Sequence, residues 1–313
     1  MSQFLKLIRW PNLVILIFSM SIILFFIIAP GLKIQVFTQG LTLVQFMLLV
    51  FSTIFIAIGG YIINDIFDIH ADSVNKLDKD SPVGNSISIE TANVLYWAFT
   101  ITGILLGVLL SYLVNQINFG LIFLFSAGLL WFYSQKYQCQ PLVGNIVVAF
   151  LSALSFGLVW LFQFYALSND AHIFVVVQSH FGLINRFVAI YMGFAFTVSL
   201  LREVVKDIED YEGDNRFGCV TFPVKFGITA SKVLALVIAY LALGTSIFIQ
   251  YGFYKSGYYL LLGSFFPIDI LFISVIFILH RAVSKPTFSS LSVIIKIIML
   301  IGVLSMVSFY FES

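Results

Sequence analysis

The 313-residue chain is 60% hydrophobic and 17% aromatic, and only 10% of its residues are charged. This composition excludes an ordinary soluble domain and predicts an integral membrane protein. The formal net charge is +1, and no basic run is interleaved with aromatic residues, so nucleic acid is excluded as a partner.

Nine apolar runs are long enough to cross a bilayer, which predicts an all-α membrane protein with nine transmembrane helices. We expect a single polytopic domain over residues 1–313, with a possible pseudo-repeat of helices 1–4 and 5–8 followed by helix 9. The runs cover residues 13–29, 41–63, 92–113, 117–133, 143–166, 184–201, 232–254, 258–279 and 291–311.

Most of the Lys and Arg residues fall in loops on the same side as the N-terminus. The positive-inside rule therefore predicts a cytoplasmic N-terminus, with the protein in the cell (inner) membrane. Cys139 and Cys219 lie in loops on the same, reducing side. We accordingly expect them to be free thiols without a role.

Two acidic stretches share the spacing Asp-x-x-Asp-x-x-x-Asp, one after the second apolar run and one after the sixth. They are Asp65, Asp68 and Asp72, and Asp207, Asp210 and Asp214. On a helix, positions i, i+3 and i+7 share one face, where like charges repel one another. Each stripe therefore indicates a bound cation, and ligands with oxygen atoms only suit Mg²⁺, which shares its coordination with substrate phosphates.

Both stretches lie in loops on the cytoplasmic side, so we expect them to face one another across a cavity. Such a site would hold a diphosphate that carries an apolar tail. Metal ions and cations would stabilise the departing diphosphate, and aromatic faces would shelter the allylic carbocation left on the tail. The alternative for one stripe alone is a solvated loop whose charges keep helices from aggregating.

Other polar residues near the stripes are candidates for substrate binding. Arg202 and Lys206 are adjacent on a helical face and suit diphosphate oxygens better than Lys76 or Lys136. Tyr133 is interpreted equally as a hydrogen-bond donor to a phosphate or as an aromatic anchor at the membrane interface. Three asparagines fall at predicted helix ends, where capping is the commoner role, although one of them adjoins the first stripe. They are Asn12, Asn145 and, beside the stripe, Asn64.

Three more ionisable residues require an interpretation. His70 is at i+2 from Asp68, so we expect it to point away from the carboxylate face. Asp269 and Lys296 lie inside predicted spans, where such groups usually face an interior or one another. A direct pair between them is one possibility.

The residues around both stripes resemble the UbiA superfamily of intramembrane prenyltransferases, and most closely its digeranylgeranylglyceryl phosphate synthase branch. The resemblance covers nearly the whole chain. It is carried by Asn64-Asp65-Ile66-Phe67-Asp68 with Asp72, Asn75 and Lys76, by the segment from Arg202 to Asp214, by Arg9-Trp10-Pro11-Asn12 and by Pro141-Leu142-Val143-Gly144-Asn145. The basic pair that precedes the last string in the family is replaced here by Gln138 and Cys139.

The resemblance implies a UbiA-like helix bundle around a central cavity that opens toward the cytoplasm. It also implies Mg²⁺-dependent transfer of a polyprenyl group, geranylgeranyl above all, from its diphosphate to a glycerophosphate-type lipid acceptor such as geranylgeranylglyceryl phosphate. The first three aspartates would hold one Mg²⁺ ion and the last three a second. Asn64 would support the first site, while Arg202, Lys206 and Lys136 would lie near the diphosphate.

Two other functions remain open at this stage. The acceptor in the same reaction type is alternatively an aromatic ring, as in quinone biosynthesis. A divalent-cation or solute transporter is a more distant alternative, because transporters place carboxylates near the membrane midplane. In this chain Asp269 is the only acidic residue deep in a predicted span.

Overall fold

The computed structural model describes residues 2–75 and 82–312, without the side chains of Ser2 and of residues 69–75. Within these ranges nine helices are long and apolar enough to cross a membrane, which confirms the predicted number of spans. These spans are Trp10–Leu32, Leu43–Asp68, Ile89–Leu113, Ile117–Gln135, Val143–Ser168, Ala171–Glu209, Phe222–Ser256, Tyr259–Arg281 and Lys285–Tyr310. The chain is an integral membrane protein, and its orientation stays a prediction.

The α-helices are numbered in chain order. They are α1 (Ser2–Leu7), α2 (Trp10–Ile23), α3 (Ala29–Leu32), α4 (Leu43–Asn75), α5 (Ile89–Leu113), α6 (Gly120–Gln135), α7 (Val143–Ser168), α8 (Ala171–Val177), α9 (Phe181–Glu209), α10 (Tyr211–Phe217), α11 (Phe222–Phe226), α12 (Ile228–Ser256), α13 (Tyr259–Arg281) and α14 (Lys285–Tyr310). A π-helical turn, Leu24–Ile28, joins α2 to α3, and 3₁₀ segments lie at Ile117–Phe119, Tyr137–Cys139 and Gln178–His180.

Two helices continue well past the apolar runs that predicted them. Helix α4 extends to Asn75, although its run ends at 63, and α9 extends to Glu209, although its run ends at 201. Helix formation depends on main-chain hydrogen bonds, and Arg, Glu and Lys are good helix formers outside a membrane. The acidic stretches therefore lie on or directly after polar extensions of spanning helices.

The chain divides into two compact units, each of which is described by itself. The first unit comprises Met1–Ser21, Gln35–Gln138 and Leu158–Gln178, and the second comprises Ile22–Ile34, Cys139–Gly157 and Ser179–Ser313. The pseudo-repeat expected from the sequence stays a prediction.

In the first unit, α4 packs against α5 and α6 at close range. The Ser52 hydroxyl donates to the carbonyl of Gly103 at 2.7 Å. A Cβ atom on Gly103 would lie 3.0 Å from the Ser52 carbonyl oxygen and 2.9 Å from the Ile56 side chain, so the approach of α5 to α4 requires glycine there. This contact fixes the helix that carries the first acidic stretch.

In the second unit, α9 packs against α12 and α14, and α13 packs against both of these helices. The ring centre of Phe187 on α9 lies 4.5 Å from that of Phe309 and 5.9 Å from that of Phe253. The Tyr191 hydroxyl, fully buried, forms a hydrogen bond of 3.1 Å with Ser305 on α14. These contacts fix α9, which carries the start of the second acidic stretch.

Candidate functional site

The first acidic stretch lies on one uninterrupted helix, as the sequence predicted. Helix α4 runs without a break from Leu43 to Asn75, so Asp65, Asp68 and Asp72 share a helical register. The side chains of Asp72 and His70 and the whole of Lys76 lie outside the described residues. The geometry given below therefore concerns Asp65 and Asp68.

Both described carboxylates of the first stretch are held by donors of the same unit. Asn64 Nδ2 donates to Asp68 Oδ2 at 2.6 Å, and Gln138 Nε2 donates to Asp68 Oδ1 at 2.9 Å. Arg9 Nη2 donates to Asp65 Oδ1 at 3.0 Å, which makes a partly buried ion pair. These bonds orient the two carboxylates.

Arg9 reaches Asp65 from the break between α1 and α2. Its φ of +49° lies in the left-handed region that non-glycine residues rarely adopt. Its guanidinium carbon lies 5.0 Å from the centre of the Tyr61 ring, one turn of α4 before Asp65. Tyr61 and Asp65 thus hold the Arg9 side chain together, by a cation–π contact and by an ion pair.

The second acidic stretch does not lie on one continuous helix, so that part of the sequence interpretation is wrong. Helix α9 ends at Glu209 and α10 begins at Tyr211, and between them Asp210 has φ −91° and ψ 1°. The segment has left the apolar run, and Gly213 lowers its helix propensity further. Identical spacing in the sequence therefore does not give Asp207, Asp210 and Asp214 the same register as the first stretch.

Neutral donors hold two carboxylates of the second stretch. Asn145 Nδ2 donates to Asp207 Oδ2 at 2.9 Å, and the Asn145 side chain is itself buried. The Thr221 hydroxyl donates to Asp214 Oδ2 at 3.0 Å. The role of Asn145 is thus to bind a carboxylate with its amide, whereas capping was the commoner role expected for it.

Cys139 and Cys219 form a disulfide with a Cα–Cα distance of 4.6 Å, so the expectation of free thiols was wrong. A sequence separation of 80 gave no sign of this proximity, because the fold of the second unit decides it. Gly218, with φ +74°, reverses the chain after α10, and the Cys219 amide then donates to the Asp214 carbonyl at 3.0 Å. The disulfide therefore anchors the turn that carries Asp214.

A cavity of about 220 Å³ lies in the second unit between the end of α9 and the first half of α14. Its lining combines basic, acidic and hydroxyl side chains. The lining residues are Arg202, Lys206, Glu209, Asp210, Ser289, Ser292, Val293 and Lys296. The adjacency predicted for Arg202 and Lys206 is present here, and Arg202 also makes an ion pair with Glu203.

Two residues proposed from the sequence are not placed against a described carboxylate. Asn12 and Lys136 are exposed, and neither side chain makes a hydrogen bond or ion pair with another described residue. Tyr133, on the last turn of α6, is half-buried. Their assignment to substrate binding therefore stays a prediction.

Asp269 is bound by two neighbours on α12 and not by Lys296. Ser246 Oγ donates to Asp269 Oδ1 and Gln250 Nε2 donates to Asp269 Oδ2, both at 2.6 Å. Within the described part of the chain Lys296 makes no ion pair, so the possible pair between these two residues is absent. Asp269 has the structural role of linking α13 to α12.

The chemistry of the donors fits magnesium when phosphate oxygens complete its coordination. The described residues contain no group of three His, Cys, Asp or Glu side chains placed to enclose a metal ion. Mg²⁺ is commonly bound by one or two carboxylates, with waters and substrate phosphates in its other positions. Each described aspartate that accepts a hydrogen bond keeps further lone pairs for such a contact.

A protein-family model described as the UbiA prenyltransferase family matches residues 18–297, which is most of the chain. The chain belongs to the UbiA prenyltransferase family. It is therefore an enzyme, a membrane prenyltransferase, as the resemblance in its acidic motifs implied.

Curated relatives in this family are named digeranylgeranylglyceryl phosphate synthase. The protein from Methanocaldococcus jannaschii is 29% identical over 317 residues, which is 98% of this chain and 95% of the relative. The protein from Sulfurisphaera tokodaii is 35% identical over 225 residues, or 72% of each chain.

Solved structures of the family share the fold. A structure described as giving insights into digeranylgeranylglyceryl phosphate synthase in membranes has a TM-score of 0.66 and 25% identity, and the match covers 100% of this chain and 99% of the other. A UbiA homologue from Archaeoglobus fulgidus bound to GPP and Mg²⁺ has a TM-score of 0.57 and 15% identity, with 98% and 99% coverage. At that identity the second likeness shows the fold alone.

Three residues that donate hydrogen bonds to the motif carboxylates were not proposed as site residues from the sequence. Arg9 belongs to the string Arg9-Trp10-Pro11-Asn12 that carried part of the resemblance, so its motif was a usable signal. Gln138 appeared to be a departure from the family, yet its amide binds Asp68. Thr221 follows the second motif among residues that also resemble the family, but its contact with Asp214 depends on the turn after α10.

Proposed function

We propose that this enzyme transfers a geranylgeranyl group from its diphosphate to a glycerophosphate-type lipid acceptor such as geranylgeranylglyceryl phosphate. The observation that carries the proposal is the pair of acidic motifs at the ends of spanning helices, whose carboxylates are held by donors of the chain. The acceptor class is supported by the name that relatives share over up to 98% of the chain.

Asp65, Asp68 and Asp72 would hold one Mg²⁺ ion, and Asp207, Asp210 and Asp214 a second. The metal ions would neutralise negative charge on the departing diphosphate. The donors Asn64, Gln138 and Arg9 orient the first carboxylates, while Asn145 and Thr221 orient those of the second motif. Prealigned ligands of this kind lose little conformational freedom on binding.

In the proposed reaction the bond between C1 of the prenyl group and the diphosphate oxygen breaks, and the electron pair leaves with the diphosphate. The allylic carbocation that remains is attacked by a hydroxyl oxygen of the acceptor. An ether bond forms and the hydroxyl proton is released. The apolar spans exclude water from the cation, which would otherwise give the free prenyl alcohol.

The test combines purified protein, Mg²⁺, geranylgeranyl diphosphate and either geranylgeranylglyceryl phosphate or a phenolic acceptor, with the products identified by mass spectrometry. We expect a digeranylgeranylglyceryl phosphate product that is lost when EDTA removes the metal. Prenylation of the phenolic ring alone would reject the proposed acceptor in favour of the aromatic alternative. Cation flux in proteoliposomes without any consumption of prenyl diphosphate would reject prenyl transfer.

A further inference from the structure

The cavity between α9 and α14 contains a basic residue whose position needs a reason. Lys296 lies in the middle of an apolar spanning helix, where an ionisable side chain is expensive and usually marks a functional site. The carboxylate inside a neighbouring span, Asp269, is already bound by Ser246 and Gln250. Its charge is therefore not the partner of Lys296.

Cations from two helices share this cavity. Arg202 and Lys206 line it from α9 and Lys296 lines it from α14. The charges of Arg202 and Lys206 act on Lys296 more strongly than the opposite charges of Glu209 and Glu203. Lys206 and Lys296 make no ion pair with any described residue, and such like charges repel one another unless an anion lies between them. The cavity thus has the electrostatic character of an anion site on its α14 side.

Hydroxyl groups complete the donors on that side. Ser292 and Ser289 line the cavity about one turn and about two turns before Lys296, and the Ser292 side chain is buried. Glu209 and the proposed Mg²⁺ ligand Asp210 line the α9 side, and their carboxylates repel an anion that carries no metal ion. An anionic group is therefore favoured next to Lys296 and Ser292, where an ammonium and hydroxyls match the oxygens of a phosphate.

We propose that Lys296 and Ser292 of α14 form a binding site for a phosphate monoester, which is the phosphate of the prenyl acceptor. This inference rests on the proposed function for its substrate. Both substrates of that reaction carry phosphate groups, but a diphosphate suits carboxylate motifs with bound Mg²⁺. A basic pocket with hydroxyl donors binds a phosphate without a metal and so suits the second substrate.

The test compares Lys296→Gln with Lys285→Gln. Both lysines are exposed on the same helix, but Lys285 lies outside the cavity. The KM values for geranylgeranylglyceryl phosphate and for geranylgeranyl diphosphate are measured separately. A lost charge-assisted hydrogen bond predicts that the acceptor KM of Lys296→Gln rises roughly 10-fold or more. We expect the donor KM to change less than twofold, Ser292→Ala to raise the acceptor KM by a smaller factor, and Lys285→Gln to match the wild type.

A rise in the KM for geranylgeranyl diphosphate instead would assign the pocket to the diphosphate. Unchanged KM values would show that Lys296 has only a structural role. Either result overturns the proposal.

A binding experiment distinguishes failure of this proposal from failure of the proposed function. Wild-type protein in micelles should be stabilised against heat more by geranylgeranylglyceryl phosphate than by neutral geranylgeranylglycerol, and Lys296→Gln should lose that difference. If this difference is seen but no transfer occurs, the proposed function fails and the phosphate site stands. If the wild type shows no difference, the phosphate site fails.

Discussion

The first and second acidic motifs share one spacing but differ in what supports their carboxylates. In the first motif, one continuous helix presents Asp65 to a cation, Arg9, and Asp68 to two amides. In the second, the helix is interrupted at Asp210, and Asp207 and Asp214 are held by neutral groups, Asn145 and Thr221. The shared spacing thus indicates carboxylates as the metal ligands, while contacts with the rest of each unit determine how each carboxylate is held.

Loss of a carboxylate should have the largest effect in either motif. Asp68→Asn and Asp210→Asn are each expected to lower kcat by roughly a thousandfold or more, because each removes a charged oxygen from a proposed Mg²⁺ site. The comparison predicts different stabilities, since Asp68 accepts two amide hydrogen bonds and Asp210 accepts none from another described side chain. Asp68→Asn should therefore melt at a lower temperature than Asp210→Asn.

The control for this pair is Asp170→Asn, which makes the same chemical change at the N-cap of α8, where Asn caps as well as Asp does. It should retain full activity. Normal turnover in Asp68→Asn or Asp210→Asn would remove that residue from the metal site.

Loss of an amide that orients a carboxylate should have an intermediate effect. Asn145→Ala and Gln138→Ala are expected to raise the Mg²⁺ concentration for half-maximal activity by roughly 10- to 100-fold, as found for partners of metal ligands. The effect should be larger for the buried Asn145 than for the half-buried Gln138. Mg²⁺ titrations of initial rates would measure both.

Gln135→Ala, an exposed amide three residues before Gln138, is the matched control and should leave the Mg²⁺ requirement unchanged. An equal shift in all three variants would indicate a general loss of structure and would contradict the positioning role.

Removal of the disulfide should lower the stability of the protein. In the chain-entropy account, a bridge that closes a loop of about 80 residues contributes about 4 to 5 kcal/mol. Cys139→Ser and Cys219→Ser are each expected to lower the melting temperature in micelles by several degrees, and the double variant by no more than either single one. A melting temperature that is unchanged by substitution and by reductant would show that the bridge is dispensable.

The smallest effect is expected from Thr221→Val, which removes a hydroxyl that donates to Asp214. One neutral hydrogen bond is worth about 0.5 to 1.5 kcal/mol, so the Mg²⁺ requirement should rise by roughly 2- to 10-fold. Thr221→Ser keeps the hydroxyl and should restore the wild-type value. Failure of Ser to restore it would assign the effect to packing of the methyl group.

Much of the fold and part of the site follow from local sequence patterns. Apolar run length predicted nine spans, and helical periodicity predicted the register of Asp65 and Asp68 on α4. Run length alone could not predict that α4 and α9 continue into polar sequence, because main-chain hydrogen bonding and not hydropathy ends a helix. The break at Asp210 was missed for the same reason.

Contacts between distant segments could not be predicted in this way. Arg9 lies 56 residues from Asp65, Asn145 lies 62 from Asp207, and the disulfide joins residues 80 apart. Spacing along a helix carries no information about such pairs, which depend on how separate helices pack. The Cys139–Cys219 bridge was the clearest case, since topology and compartment argued for free thiols and the fold of the second unit brings the two residues together.

The central claim is that each acidic motif holds one metal ion together with a prenyl diphosphate. The most direct test counts Mn²⁺ ions, used in place of Mg²⁺, that bind per protein in the presence of a non-hydrolysable geranylgeranyl diphosphate analogue. The account predicts two ions for the wild type and one each for Asp68→Asn and Asp210→Asn. Two ions in both variants, or none in the wild type, would contradict it.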